Sequence, residues 1–126
     1  MSWLFESTIV ESLPEDCVGF VYLITNLTNN RKYIGKKLAK FSKTTYKTIK
    51  LKNGNKKRKK IKGKIESDWR DYYGSSNELL KDIEKLGKDS FTREILHYCT
   101  SKAECSYLEA KLQFEYKVLE SLDYYN

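Results

Sequence analysis

Between Lys36 and Lys64 the chain carries 14 of its 24 lysines and arginines and none of its 17 aspartates and glutamates. Cations at that density repel one another and retain their water, so this stretch cannot enter an apolar core and has to project from the body of the fold. It divides the foldable sequence into a short N-terminal part and a longer C-terminal part. Outside it, the remaining 10 basic residues stand against all 17 acids, so the net charge of +7 conceals an acidic domain with one strongly basic segment. A phosphate backbone neutralises such a segment well. The plain alternative is a solvated lysine loop with no specific ligand.

The rest bounds the class. A chain of 126 residues, 40% of them hydrophobic, fits a single domain over 1–126 with a modest core and a basic insert at about 38–65. Polar or charged residues interrupt every apolar run, which argues against a membrane partner. Met1–Leu13 contains acids and lacks the positive start of a secretion signal. Cys17, Cys99 and Cys105 form no CxxC pair, and His97 is the one histidine, so a reduced, cytoplasmic protein without a His/Cys zinc site is expected. No small-molecule cofactor is expected.

Local patterns give the order of elements. Val18–Thr25 has the β-branched and aromatic density of a buried strand, 26–30 is asparagine-rich turn chemistry, and Lys32–Lys37 reads as the second arm of a hairpin. Within the insert, Asn53-Gly54-Asn55 is a turn signal compatible with either a basic β-ribbon or an irregular loop. Residues 1–16 are ambiguous. Ser75 or Ser76 can cap a helix that runs to Leu86 and stops at Gly87; Phe91–Cys99 reads as a strand. Ser101-Lys102-Ala103-Glu104 has capping-box spacing and opens a helix reaching about Leu119, and Leu122–Asn126 can return as a short extended segment.

On that last helix Cys105, Leu108, Leu112, Tyr116 and Leu119 form one apolar stripe, and Glu109 falls within it. A carboxylate turned toward a core is costly unless paired, protonated or bound to a cation. The plain reading is a glutamate at the stripe's edge that reaches water or a lysine. Tyr107, Phe114 and Val118 lie on the opposite side, as expected if a second face is covered or a partner subunit packs there.

The hairpin carries a recognisable signature. Gly19-Phe20-Val21-Tyr22, followed after ten intervening residues by Tyr33-Ile34-Gly35, resembles the paired motif of the GIY-YIG nucleases, with Phe20-Val21-Tyr22 in place of a literal Gly-Ile-Tyr. Ser75-Ser76, Gly87, Phe91, Glu109 and Asn126 follow in the order and at about the spacing seen in phage intron homing endonucleases of that family. The resemblance covers about Gly19–Lys36 and Gly74–Asn126. It implies an α/β (α+β) fold: a small three-stranded, mainly antiparallel sheet flanked by helices, in the order ββ, basic insert, α, β, α.

The resemblance also implies a metal-dependent DNA endonuclease and suggests a phage origin. Glu109 would hold one Mg²⁺ (or Mn²⁺) per active site, suiting an ion that keeps most of its waters. Tyr22 would act as general base or water-positioner, and since a free phenol has a pKa near ~10 it would need a nearby cation, for which Lys36 is placed. Tyr33 would orient water or the scissile phosphate, and Asn126 would brace the site. The family's phosphate-binding arginine would be Arg70, with Tyr73 close behind; Lys37 and Arg58 are alternatives. Lys37, Lys56, Lys57, Arg58, Lys59 and Lys60 would follow the DNA backbone, with Tyr46 and Ile49 as groove or packing contacts. The rivals are a catalytically inactive nucleic-acid-binding protein on the same fold and a structural basic protein. Monomer and homodimer both fit, since cutting two strands at once takes two sites.

Overall fold

The computed structural model describes residues 2–126, with backbone alone for residues 41–45, 61, 62 and 64. The hairpin forms as its pattern requires. Strands β3 (Gly19–Asn26) and β4 (Lys32–Leu38) pair antiparallel with Tyr22 opposite Gly35 and Ile24 opposite Tyr33. The 26–30 turn is closed by Asn26, whose buried Oδ1 accepts from the Thr28 N–H and hydroxyl.

The sheet is larger than the expected three strands. Its order is β2-β1-β7-β3-β4, with β7 (Phe91–Cys99) antiparallel to β3 and two N-terminal strands, β1 (Trp3–Phe5) and β2 (Thr8–Ile9), added at the far side. The β1–β7 pairing is parallel, so the sheet is mixed at that side. Trp3 explains why so short a strand holds. It is 1% exposed, packs edge-on against Phe20 and Tyr22, and donates its Nε1–H to the Trp69 carbonyl at 2.7 Å.

Helix α1 (Asn77–Leu86) begins where the serines lie: the Ser76 hydroxyl accepts from the Leu79 N–H, and Gly87 takes φ 89° at the C-terminus. Helix α2 (Lys102–Glu115) is capped by Ser101, which accepts from the Glu104 N–H. It ends short of Leu119, because Lys117 turns left-handed (φ 52°) and starts a 3-10 turn over Val118–Glu120. That turn buries Val118 and leaves Leu119 76% exposed, so the stripe's last expected member is replaced by a neighbour.

The two faces of the sheet carry separate cores. On one, Phe20, Tyr22 and Ile24 pack with Trp3, Trp69, Leu79 and Ile83; on the other, Val21 and Ile34 pack with Cys99, Cys105 and Val118, with Leu108 and Leu112 alongside. Thus α1 covers the face of the two hairpin phenols, and α2 covers the reverse.

The basic insert is a ribbon. Strands β5 (Lys40–Lys50) and β6 (Lys56–Glu66) pair antiparallel as a separate two-stranded sheet, turned by Gly54 at φ 87°. Its root is tied to the body where Ser67 N–H donates to Ala39 O and the Ser67 hydroxyl to Leu38 O. No helix among the described residues is long and apolar enough to cross a membrane.

Candidate active site

Strand β4 lies at the edge of the sheet, and the way its outer hydrogen-bonding groups are satisfied organises the site. Alternate residues point their backbone groups outward. At Lys32 they meet the returning chain: Lys32 N–H donates to Asp123 O and Tyr125 N–H to Lys32 O. Two residues on, the Asn126 side chain takes the place of the next peptide, with Oδ1 accepting from Ile34 N–H at 3.0 Å and Nδ2 donating to Ile34 O at 2.7 Å. Gln113 of α2 adds a third bond to Ile34 O at 3.2 Å. One step further the Lys36 N–H acts on the Glu109 carboxylate, a helical turn before Gln113, and lowers its pKa. Asn126 and Glu109 therefore stand at consecutive outward positions of one strand edge.

Glu109 starts from the α2 face but ends at the rim. Burial pushes its carboxyl above the ordinary carboxylate range, and the Lys36 ammonium and backbone N–H only partly offset this. Lys36 itself extends on the α2 side, its ammonium donating to the Ser106 hydroxyl at 2.6 Å. The expected placement of Lys36 beside Tyr22 is thus corrected: strand alternation sends Lys36 to the face opposite Tyr33, where its charge acts on Glu109 and Cys105.

The phenols approach the same edge from the other face. Tyr22 is 1% exposed; its ring lies 6.1 Å from Tyr33 and 5.9 Å, edge-on, from Tyr72. Both hairpin rings crowd Gly35, where a Cβ would stand 2.7 Å from Tyr22 Cζ and 2.9 Å from Tyr33 Cε1. Gly35 places no side chain between the phenols and the strand edge, and the Glu109 charge acts on Tyr22. Burial first, then Tyr72, Tyr33 and Glu109, push the Tyr22 phenol far above its ordinary range. The neighbouring Tyr72 side chain favours its protonated form. Tyr33 shares a hydrogen bond of 2.9 Å with the Ser75 hydroxyl just before α1.

A local irregularity aims Tyr22. Opposite the Val21–Tyr22 step, β7 carries one extra residue, Leu96, so that Val21 faces His97 and Tyr22 faces Ile95. Such bulges twist a strand and redirect its side chains.

Arg70 sits elsewhere. Its guanidinium donates to Glu11 O at 2.6 Å, stacks on Trp69 and lies 3.6 Å from Glu66, the surface pairing its sequence neighbours allow. Lys37 is nearer the phenols: its ammonium lies over the Tyr72 ring at 4.2 Å and pairs with Asp68 at 2.6 Å. Tyr73, in contrast, is buried against Arg93.

Three participants escaped the sequence reading. Tyr72 was one position from the tyrosine singled out. Gln113 follows Glu109 by four residues, a spacing that marks a shared helix face. Arg93 is 2% exposed and donates to the carbonyls of Arg70 (3.0 Å) and Tyr72 (2.8 Å), fixing the turn that presents Tyr72. Its alternation with Phe91 and Ile95 was the available signal. Burial lowers the Arg93 pKa.

No group of three or more His, Cys, Asp or Glu able to hold a metal occurs among the described residues. The three thiols are buried and free, with Cys99 pushed up to about 12 by burial, which makes them packing groups rather than ligands.

The paired hairpin motif, the ordered helices and the acid at the sheet's edge define a nuclease domain of the GIY-YIG class. The family described as "Putative endonuclease segE, GIY-YIG domain" matches residues 3–126, and the chain belongs to that endonuclease family. Searches among curated proteins and among solved structures gave no match.

Proposed function

We propose that this protein is a metal-dependent endonuclease that hydrolyses DNA phosphodiester bonds at the Gly35 edge of β4. The observation that carries the reading is Glu109: a half-buried carboxylate near the β4 edge whose charge acts on Tyr22, offset among the described residues by Lys36. A single carboxylate suits Mg²⁺ or Mn²⁺, which bind through one or two acids and keep several waters. Such an ion, when bound, supplies neutralisation of phosphoryl charge.

The chain's own groups do the rest. Glu109 would hold the ion. Tyr33, partly exposed and steadied by Ser75, would orient the attacking water or the phosphate. Burial pushes the Tyr22 phenol upward, which favours a part in positioning and polarising over proton acceptance. Lys36 and Lys37 would meet phosphoryl oxygens, with Arg70 directed away from the phenols. Asn126 holds the edge on which Glu109 depends.

An inactive DNA-binding protein on the same fold is the second reading, favoured by the outward Arg70 and by the burial that pushes the Tyr22 phenol upward. Supercoiled plasmid separates the two. Nicking with Mg²⁺ or Mn²⁺ that Glu109→Ala abolishes supports the endonuclease; binding with no metal-dependent nicking refutes it.

A further inference from the structure

The ribbon is built against its own electrostatics. In its outer half Lys47 stands directly opposite Lys59, and Lys50 opposite Lys56, with no acid among residues 36–64. Like charges facing across a strand pair destabilise it, and an isolated two-stranded ribbon is marginal even without that cost. A polyanion would relieve this repulsion by neutralising the facing lysines.

Its two faces differ. Pairing places Tyr46 with Lys60, Thr48 with Arg58 and Lys50 with Lys56 on one face; Lys47 with Lys59 and Ile49 with Lys57 lie on the other. Arg58 is the only arginine of residues 36–64, and its guanidinium is stacked over the Tyr46 ring at 4.5 Å. Stacking pre-orients the planar fork, which a lysine ammonium cannot offer. Arginine and threonine contact base edges, whereas lysines chiefly bind phosphate.

Dimensions select the groove. Two strands ~4.8 Å apart with their side chains fit the major groove, ~12 Å wide, and not the minor groove, ~6 Å wide. Each 11-residue strand spans ~36 Å, about one turn of duplex. The ribbon follows β4 after one residue, Ala39, so it leaves the body from the strand that carries Tyr33, Gly35 and Lys36.

We propose that the outer ribbon lies in the major groove of duplex DNA, with the face of Tyr46, Thr48 and Arg58 turned to the base edges and the flanking lysines on the phosphates. The inference rests on DNA as the substrate and adds how the duplex is held.

The test measures binding of the full chain to a short mixed-sequence duplex by fluorescence anisotropy, without divalent ions. Competition by methyl green, a major-groove ligand, is compared with competition by distamycin, a minor-groove ligand. Methyl green is expected to weaken binding about tenfold or more and distamycin to leave it nearly unchanged. Arg58→Lys, which keeps the charge at an exposed site, is expected to lose roughly fivefold or more in affinity at an unchanged salt slope. Competition by distamycin instead, competition by neither ligand, or an Arg58→Lys variant as tight as wild type overturns the proposal. Plasmid nicking in parallel separates the two readings. Nicking with methyl-green-insensitive binding defeats the ribbon inference alone, and major-groove binding without nicking defeats the nuclease reading alone.

Discussion

Tyr22 and Gly35 stand opposite each other in the hairpin, and the Tyr22 ring occupies the space that a side chain at position 35 would need. The glycine of the second motif is therefore a steric requirement of the first motif's tyrosine. It also leaves the strand edge free of a side chain at this position.

Gly35→Ala tests that dependence. The added methyl meets Tyr22 Cζ at 2.7 Å and Tyr33 Cε1 at 2.9 Å, both on rings packed in the core. Overpacking of this kind costs about 1–3 kcal/mol. Thermal melting is expected to show that loss, with plasmid nicking reduced far more than stability alone explains.

Asn126→Ala removes both side-chain bonds to Ile34 while Gln113 keeps one contact to the same carbonyl. A cost of about 1 kcal/mol in stability is expected, since water can reach this edge. Nicking should fall with it, because Glu109 uses the next position of the same edge. Gln113→Ala should do less on both counts. Equal activity of Asn126→Ala and wild type would remove Asn126 from the site.

Much of this was readable beforehand, and the failures have physical causes. The hairpin, α1 with its Ser76 cap and Gly87 stop, and β7 all follow from patterns that local chemistry enforces. Strands β1 and β2 did not stand out because they are three and two residues long and turn at Glu6 and Ser7, which take φ 49° and 67° without a glycine or asparagine to announce it. Helical periodicity placed Glu109 in an apolar stripe, and it is half-buried near Lys36; its relation to Lys36 was not legible, because that depends on which edge of β4 remains open. Arg70 beside Trp69 looked a suitable phosphate ligand, yet the N-terminal segment supplies Glu11 O as its partner, a contact 59 residues away in sequence.

The pH dependence follows from Glu109. Its pKa is raised in the fold, so the folded state holds this proton more tightly than the unfolded chain does, and ionisation costs stability as pH rises through the window between the ordinary carboxyl value and the raised one. Without divalent ion, Glu109→Gln should melt higher than wild type at neutral pH, and the difference should close below the ordinary carboxyl range. Melting curves across acid and neutral pH check this. A variant no more stable than wild type at neutral pH would mean that the carboxylate is fully compensated.

Lys37 and Arg70 can be told apart directly. Arg70→Ala alters an exposed contact and is expected to change stability by no more than about 0.5 kcal/mol, with nicking near wild type. Lys37→Ala removes the cation over Tyr72 and should depress nicking strongly.

Arg93→Met strips the bonds to the Arg70 and Tyr72 carbonyls. Leaving part-buried carbonyls unsatisfied costs about 1–3 kcal/mol each. A lower melting temperature is expected, together with a loosened Tyr72 that shows as a changed tyrosine fluorescence near the site.

The central claim is that Glu109, reached around the Gly35 edge, holds a divalent ion beside the hairpin phenols. Crystals of the protein soaked in Mn²⁺ and examined by anomalous scattering test it most directly. One peak is expected within coordination distance of a Glu109 carboxylate oxygen, on the side of Tyr22 and Tyr33, and none is expected in Glu109→Gln. A Mn²⁺ peak remote from Glu109, or one that persists in the variant, would contradict it.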